Sequence, residues 1–105
     1  LVENLPAPVL SSFPALHQDI ALVVDETIPA EDVRAVVEAG AGELIETVEL
    51  FDVYRSEQLG ENKKSLAFSL RFRATDRTLT DEEANEARLQ AAELAKEKFN
   101  AEMRG

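Results

Sequence analysis

The sequence predicts an α+β domain in which a four-stranded antiparallel sheet carries two helices on one face, in the order β-α-β-β-α-β. Three observations carry this expectation. Residues 63–73 (KKSLAFSLRFR) alternate apolar and polar side chains with the period of a strand buried on one side. Residues 80–95 combine a helix-start signal with an apolar stripe at helical spacing. Between and before them lie two further β-branched or alternating runs, and an amphipathic stretch separates those two.

Taken in order, residues 1–12 (LVENLPAPVLSS) hold two prolines and two serines without periodicity and read as an extended arm, so that the domain occupies residues 13–105. Residues 19–25 (DIALVVD) form β1, with Ile20, Leu22 and Val24 on one face and Ala21 and Val23 on the other. Helix α1 follows. Pro29 suits a first helical turn, Glu31 and Asp32 favour the positive helix N-terminus, and Val33, Val36 and Val37 share a face before Gly40 and Gly42 end the element.

Residues 44–55 (LIETVELFDVYR) form β2, and simple alternation places Val48, Leu50, Asp52 and Tyr54 together, opposite Thr47, Glu49, Phe51 and Val53. Residues 56–62 (SEQLGEN) are polar, contain a glycine and read as the hairpin loop into β3. In β3, Leu66, Phe68, Leu70 and Phe72 point to the core, each worth about 1.5–3 kcal/mol when fully buried. Ser65, Ala67, Ser69, Arg71 and Arg73 point away, onto a face that no helix is expected to cover. Thr80 and Glu83 make a capping box, Leu79 and Ala84 stand at the positions of a hydrophobic staple, and Ala84, Ala87, Ala91, Leu94 and Ala95 form the stripe of α2. Residues 99–104 (FNAEMR) alternate and supply a short β4. This element order is the ferredoxin-like split motif.

Composition bounds the chemistry. The 105 residues include no cysteine, which excludes a disulfide scaffold, a thiolate metal site and thiol catalysis. No apolar run approaches a membrane span, so the chain reads as soluble, and the lack of cysteine is neutral about compartment. His17 has no nucleophile or ligand partner at useful spacing and reads as a surface side chain. The acids at 81–83 and 86 are where a helix N-terminus favours them, without the alternating loop of a calcium site. No catalytic constellation, glycine-rich phosphate loop or metal set emerges.

The open sheet face remains. Alternation assigns to it Ala21 and Val23, then Leu50, Asp52 and Tyr54, then Ser65, Ala67, Ser69 and Arg71. A flat platform with one aromatic and one carboxylate suits a splayed nucleobase, which stacks on the ring while the carboxylate accepts from its exocyclic amine or ring N–H. On pattern alone, a tyrosine that merely covers the sheet end is the stronger reading, because a general RNA-binding sheet carries paired aromatics. Charge adds a second feature: residues 55–77 hold Arg55, Lys63, Lys64, Arg71, Arg73 and Arg77 against three acids, a local +3, whereas the rest of the chain carries −13. The net charge of −10 argues against an independent nucleic-acid binder, since phosphate affinity comes from Lys and Arg displacing counterions.

Phe13-Pro14-Ala15, Asp19-Ile20-Ala21, VELFDVYR at 48–55, KKSLAFSLRFR at 63–73 and DRTLTDEEAN at 76–85 together resemble the C-terminal ferredoxin-fold anticodon-binding domain of bacterial phenylalanyl-tRNA synthetase β subunits. The resemblance extends over nearly the whole chain. It implies a non-catalytic module that holds the anticodon loop of tRNA(Phe), in an (αβ)₂ enzyme whose α subunit performs aminoacylation. It further implies that ATP and Mg²⁺ serve the parent enzyme, with no cofactor here, and that the remainder of the β subunit and the α subunit are the protein partners. By the same resemblance Tyr54 stacks on the first anticodon base, Asp52 reads it, and Ala21, Ser65 and Arg104 are neighbouring contacts. Arg55, Lys63, Lys64, Arg71 and Arg73 are candidate phosphate contacts. His17, Gln18 and Ser56 depart from the family pattern, which often has arginines before the aspartate and a glycine after the FDVYR segment. The competing expectation from the fold alone is an amino-acid-sensing regulatory domain with a pocket at a dimer interface.

Overall fold

A computed structural model describes residues 14–74 and 76–104. The expected arm at 1–12 and the boundary at residue 13 lie outside the described residues. The elements are β1 (Leu16–Asp25), α1 (Ala30–Ala41), β2 (Ile45–Tyr54), β3 (Lys63–Phe72), α2 (Asp81–Phe99) and β4 (Glu102–Arg104), with 3₁₀ turns at Gly42–Leu44 and Glu57–Leu59. The strands form one sheet in the order β2-β3-β1-β4, and every pairing is antiparallel. This is the ferredoxin-like α+β architecture that the element order predicts.

The core lies between one sheet face and the helices. Ile20, Leu22 and Val24 of β1 and Leu66, Phe68, Leu70 and Phe72 of β3 are at most 2% exposed. They meet Val33 and Val37 of α1 and the buried stripe Ala84, Ala87, Ala91 and Ala95 of α2. Leu94 is only half-buried. The capping box is present: the Thr80 hydroxyl accepts from the Glu83 amide at 3.2 Å, and the Glu83 carboxylate accepts from the Thr80 amide at 3.1 Å. Such a cap stabilises a helix start by about 1 kcal/mol. Among the described residues, no helix is long and apolar enough to cross a membrane.

Apart from one-residue differences at the ends of β2 and β3, four boundaries depart from the sequence expectation, each for a physical reason. Strand β1 starts at Leu16, because His17 and Gln18 pair with Arg71 and Leu70 of β3; polar side chains do not prevent a backbone ladder. Pro29 is the N-cap of α1 and lies just before the first turn. Gly40 does not stop α1; it lies within the helix, where an added Cβ would fall 2.8 Å from the Ala91 Cα. Its lack of a side chain lets the two helix backbones approach, and the stop is Gly42, at φ +82°. Phe99 ends α2 instead of opening β4, since Asn100 turns into the left-handed region and donates its N–H to the Ala95 and Lys96 carbonyls.

Candidate nucleic-acid interface

Register decides what the helix-free face presents. In β2, Leu50 stands opposite Phe68, whereas Asp52 stands opposite Ala67, so Phe51 is an extra residue against β3. This bulge reverses the alternation. Side chains directly opposite in a ladder share a face; Val48, opposite Leu70, and Leu50, opposite Phe68, therefore lie on the helix side, while Asp52 and Tyr54 lie on the open side. The expectation that Leu50 joins the platform is corrected accordingly. A second register shift, between Ile45 and Thr47, leaves Glu46 outside the regular pairing.

The sequence-predicted contacts converge on two adjacent rows across the sheet. Asp52, Ala67, Ala21 and Arg104 stand abreast, one from each strand; in the next row Tyr54, Ser65, Val23 and Glu102 do the same. Ala67, Ala21 and Ser65 make a floor of small side chains between two larger groups rooted on the outer strands. Across this floor the Arg104 guanidinium lies over the Tyr54 ring, 5.0 Å from its centroid. An exposed contact of this kind is worth about 0.5–1 kcal/mol. Tyr54 remains 41% exposed and Asp52 is exposed, while Ser65 is buried between its cross-strand neighbours Tyr54 and Val23. Bulge geometry at strand edges commonly re-aims side chains in this way. Phe51, 59% exposed, is the large apolar side chain most open to solvent among the described residues.

The basic segment behaves differently in space than along the chain. Arg55 Nη2 lies 3.0 Å from Glu26 Oε2, and Lys64 Nζ lies 3.7 Å from the same atom. Arg71 Nε and Arg73 Nε meet the two Glu46 oxygens at 2.8 and 2.7 Å. Arg77 pairs with Glu83. Lys63 stands opposite Asp25 and acts on its carboxylate. Every cation of the segment except Lys63 thus pairs with a carboxylate, and the three carboxylates that come from outside it, Glu26, Glu46 and Glu83, offset the +3 of the sequence. The hydrogen bond from Arg55 holds the Glu26 carboxyl below the ordinary carboxylate range, and that from Arg77, with the Thr80 amide, does the same for Glu83. Asp25 is held low chiefly by the Thr27 amide and hydroxyl.

Of the candidate phosphate contacts, then, Lys63, Arg71 and Arg73 share the parity of the open face, and Arg55 lies just beyond the end of β2 at the loop. Lys64 lies on the helix side, 7% exposed, with its neighbour in β1 the buried Val24. Glu26 and Glu46 were not singled out by sequence reasoning. Nothing in their local spacing marks them, because their partners stand 29 and 27 residues away. A cleft of about 690 Å³ at the loop end is lined by Glu26, Arg55, Glu57, Glu61 and Lys63, so both signs of charge meet there.

Residues 11–104 match the ferredoxin-fold anticodon binding domain family. The chain belongs to that family. Among curated relatives, the phenylalanine–tRNA ligase β subunit of Corynebacterium efficiens is 87% identical over 105 residues, which is all of this chain and 13% of the relative. The corresponding subunit of Corynebacterium diphtheriae is 70% identical over 104 residues, 99% of this chain and 12% of the relative. That of Mycobacterium leprae is 51% identical over 104 residues, again 99% and 12%. The anticodon-binding domain seen here therefore spans about an eighth of the length of the curated relatives it matches.

Proposed function

We propose that the chain is the anticodon-binding domain of a phenylalanine–tRNA ligase β subunit and that it seats the anticodon loop of tRNA(Phe) on its helix-free sheet face. In this reading the α subunit carries out aminoacylation with ATP and Mg²⁺, the assembly is an (αβ)₂ tetramer in the cytoplasm, and this domain contributes position, not chemistry. One observation supports it above the others. Asp52, Tyr54, Ser65, Ala21 and Arg104, the residues that the motif resemblance singles out, fall in two adjacent rows of one face although they come from all four strands.

The roles follow from the side chains. The Tyr54 ring supplies a stacking surface, worth about 1–3 kcal/mol per base. The Asp52 carboxylate makes no hydrogen bond or ion pair among the described residues, so it is available to accept from a base. Ala21 and Ala67 let the base lie close to the backbone. Because the nearby cations are paired with Glu26 and Glu46, attraction to phosphate contributes little. Tethering to the remainder of the β subunit supplies the effective concentration that charge does not.

The test is Tyr54→Ala in the complete ligase. The efficiency of tRNA aminoacylation should fall by about 5- to 150-fold, the equivalent of one lost stack. Formation of phenylalanyl-adenylate, which needs no tRNA, should be unchanged. An equal loss in both reactions overturns the reading.

A further inference from the structure

The face of Tyr54 offered to a base is occupied. Stacked planes lie about 3.4 Å apart, the spacing of bases along one strand of a duplex, so a base between the tyrosine ring and a guanidinium needs about twice that separation. The Arg104 guanidinium stands 5.0 Å from the ring centroid, which leaves no room for a third plane. What holds Arg104 there is weak. Arg34, Arg55, Arg71, Arg73 and Arg77 pair with carboxylates, and Arg88 donates to the Asn85 side chain at 2.9 Å. Among the described residues Arg104 has neither kind of partner, only the tyrosine ring. It is rooted opposite Ala21 on the far outer strand, and its side chain reaches Tyr54 across the central strands β1 and β3.

From this geometry, and resting on the function proposed above, we infer that Arg104 is a positioning residue that works as a clamp. It covers Tyr54 in the free domain, swings aside to admit a nucleobase, and closes on the base's second face, so that the base ends between the ring and the guanidinium. The exchange replaces one cation–π contact with two stacking contacts. Both are planar, which is why an arginine serves and a lysine does not. The closed state is favoured over the open one by about two- to fivefold, as expected of an exposed contact of this type.

The chain contains one tyrosine and no tryptophan, so tyrosine fluorescence and the tyrosine ring resonances report on Tyr54 alone. The experiment compares the 105-residue chain with Arg104→Ala and Arg104→Lys. Without RNA, both substitutions should shift the Tyr54 ring resonances and raise quenching by acrylamide; unchanged resonances overturn the closed state. With an anticodon stem-loop added in stopped flow, Arg104→Ala should raise the association rate constant about three- to sixfold and the dissociation rate constant about tenfold or more. Arg104→Lys should behave like the alanine variant in dissociation. A slower association with unchanged dissociation, or full rescue by lysine, shows that Arg104 only contributes charge and overturns the clamp. If the parent chain binds the stem-loop without disturbing Tyr54, the proposed function itself fails, and that result is separate from any effect of Arg104.

Discussion

The two faces of β3 differ by one residue step and by everything else. Leu66, Phe68, Leu70 and Phe72 have no measurable exposure and hold the sheet to both helices. Ser65, Ala67, Ser69 and Arg71, interleaved with them, build a face that no helix covers and whose small side chains make a floor. The apolar face is determined by volume and transfer free energy, so its residues must be large and close-packed. The other face carries no such packing demand, and its central residues, Ser65, Ala67 and Ser69, are small. A single strand therefore carries the core packing on even positions and the face proposed for recognition on odd ones.

Adjacent substitutions separate these two demands. Phe68→Ala removes a fully buried ring from the centre of the core and should cost about 3–5 kcal/mol, read as a lowered midpoint in urea unfolding. RNA binding should be lost only in step with the folded fraction. Ala67→Leu, one residue away, adds bulk to a half-buried position on the open face and should change stability by no more than about 0.5 kcal/mol. Its affinity for an anticodon stem-loop should nevertheless fall about tenfold, because the added side chain fills the floor between Tyr54 and Arg104. A large stability loss at Ala67, or intact binding there, would erase the distinction between the faces.

Most of the fold was legible because its elements obey local rules. The β3 alternation, the Thr80–Glu83 capping box and the alanine stripe of α2 each depend on residues within a few positions of one another. Gly40 was misread for a non-local reason: its role is set by Ala91 across the helix pair, and no pattern around residue 40 shows that contact. The bulge in β2 is similar. Alternation counted from Val48 put Leu50 beside Asp52, and only pairing with β3 reveals that Phe51 interrupts the count. Tyr54 and Asp52 were assigned to the correct face because the alternation is intact between them and their own partners. Motif resemblance alone singles them out as candidate contacts, since one tyrosine and one aspartate on a strand have no chemical signature of their own. Counting charge along the chain is incomplete for the hairpin. Residues 55–77 are basic in sequence, yet Glu26 beyond β1, Glu46 of β2 and Glu83 of α2 offset that charge in three dimensions.

The backbone resonances of the 105-residue chain, followed during titration with an anticodon stem-loop, report whether RNA seats on the helix-free face. The largest shifts are expected at Ala21, Asp52, Tyr54, Ser65, Ala67 and Arg104, with α1 and α2 silent. Shifts centred on the opposite side, at Leu89 and Ala92 of α2 beside Met103, would contradict that seating.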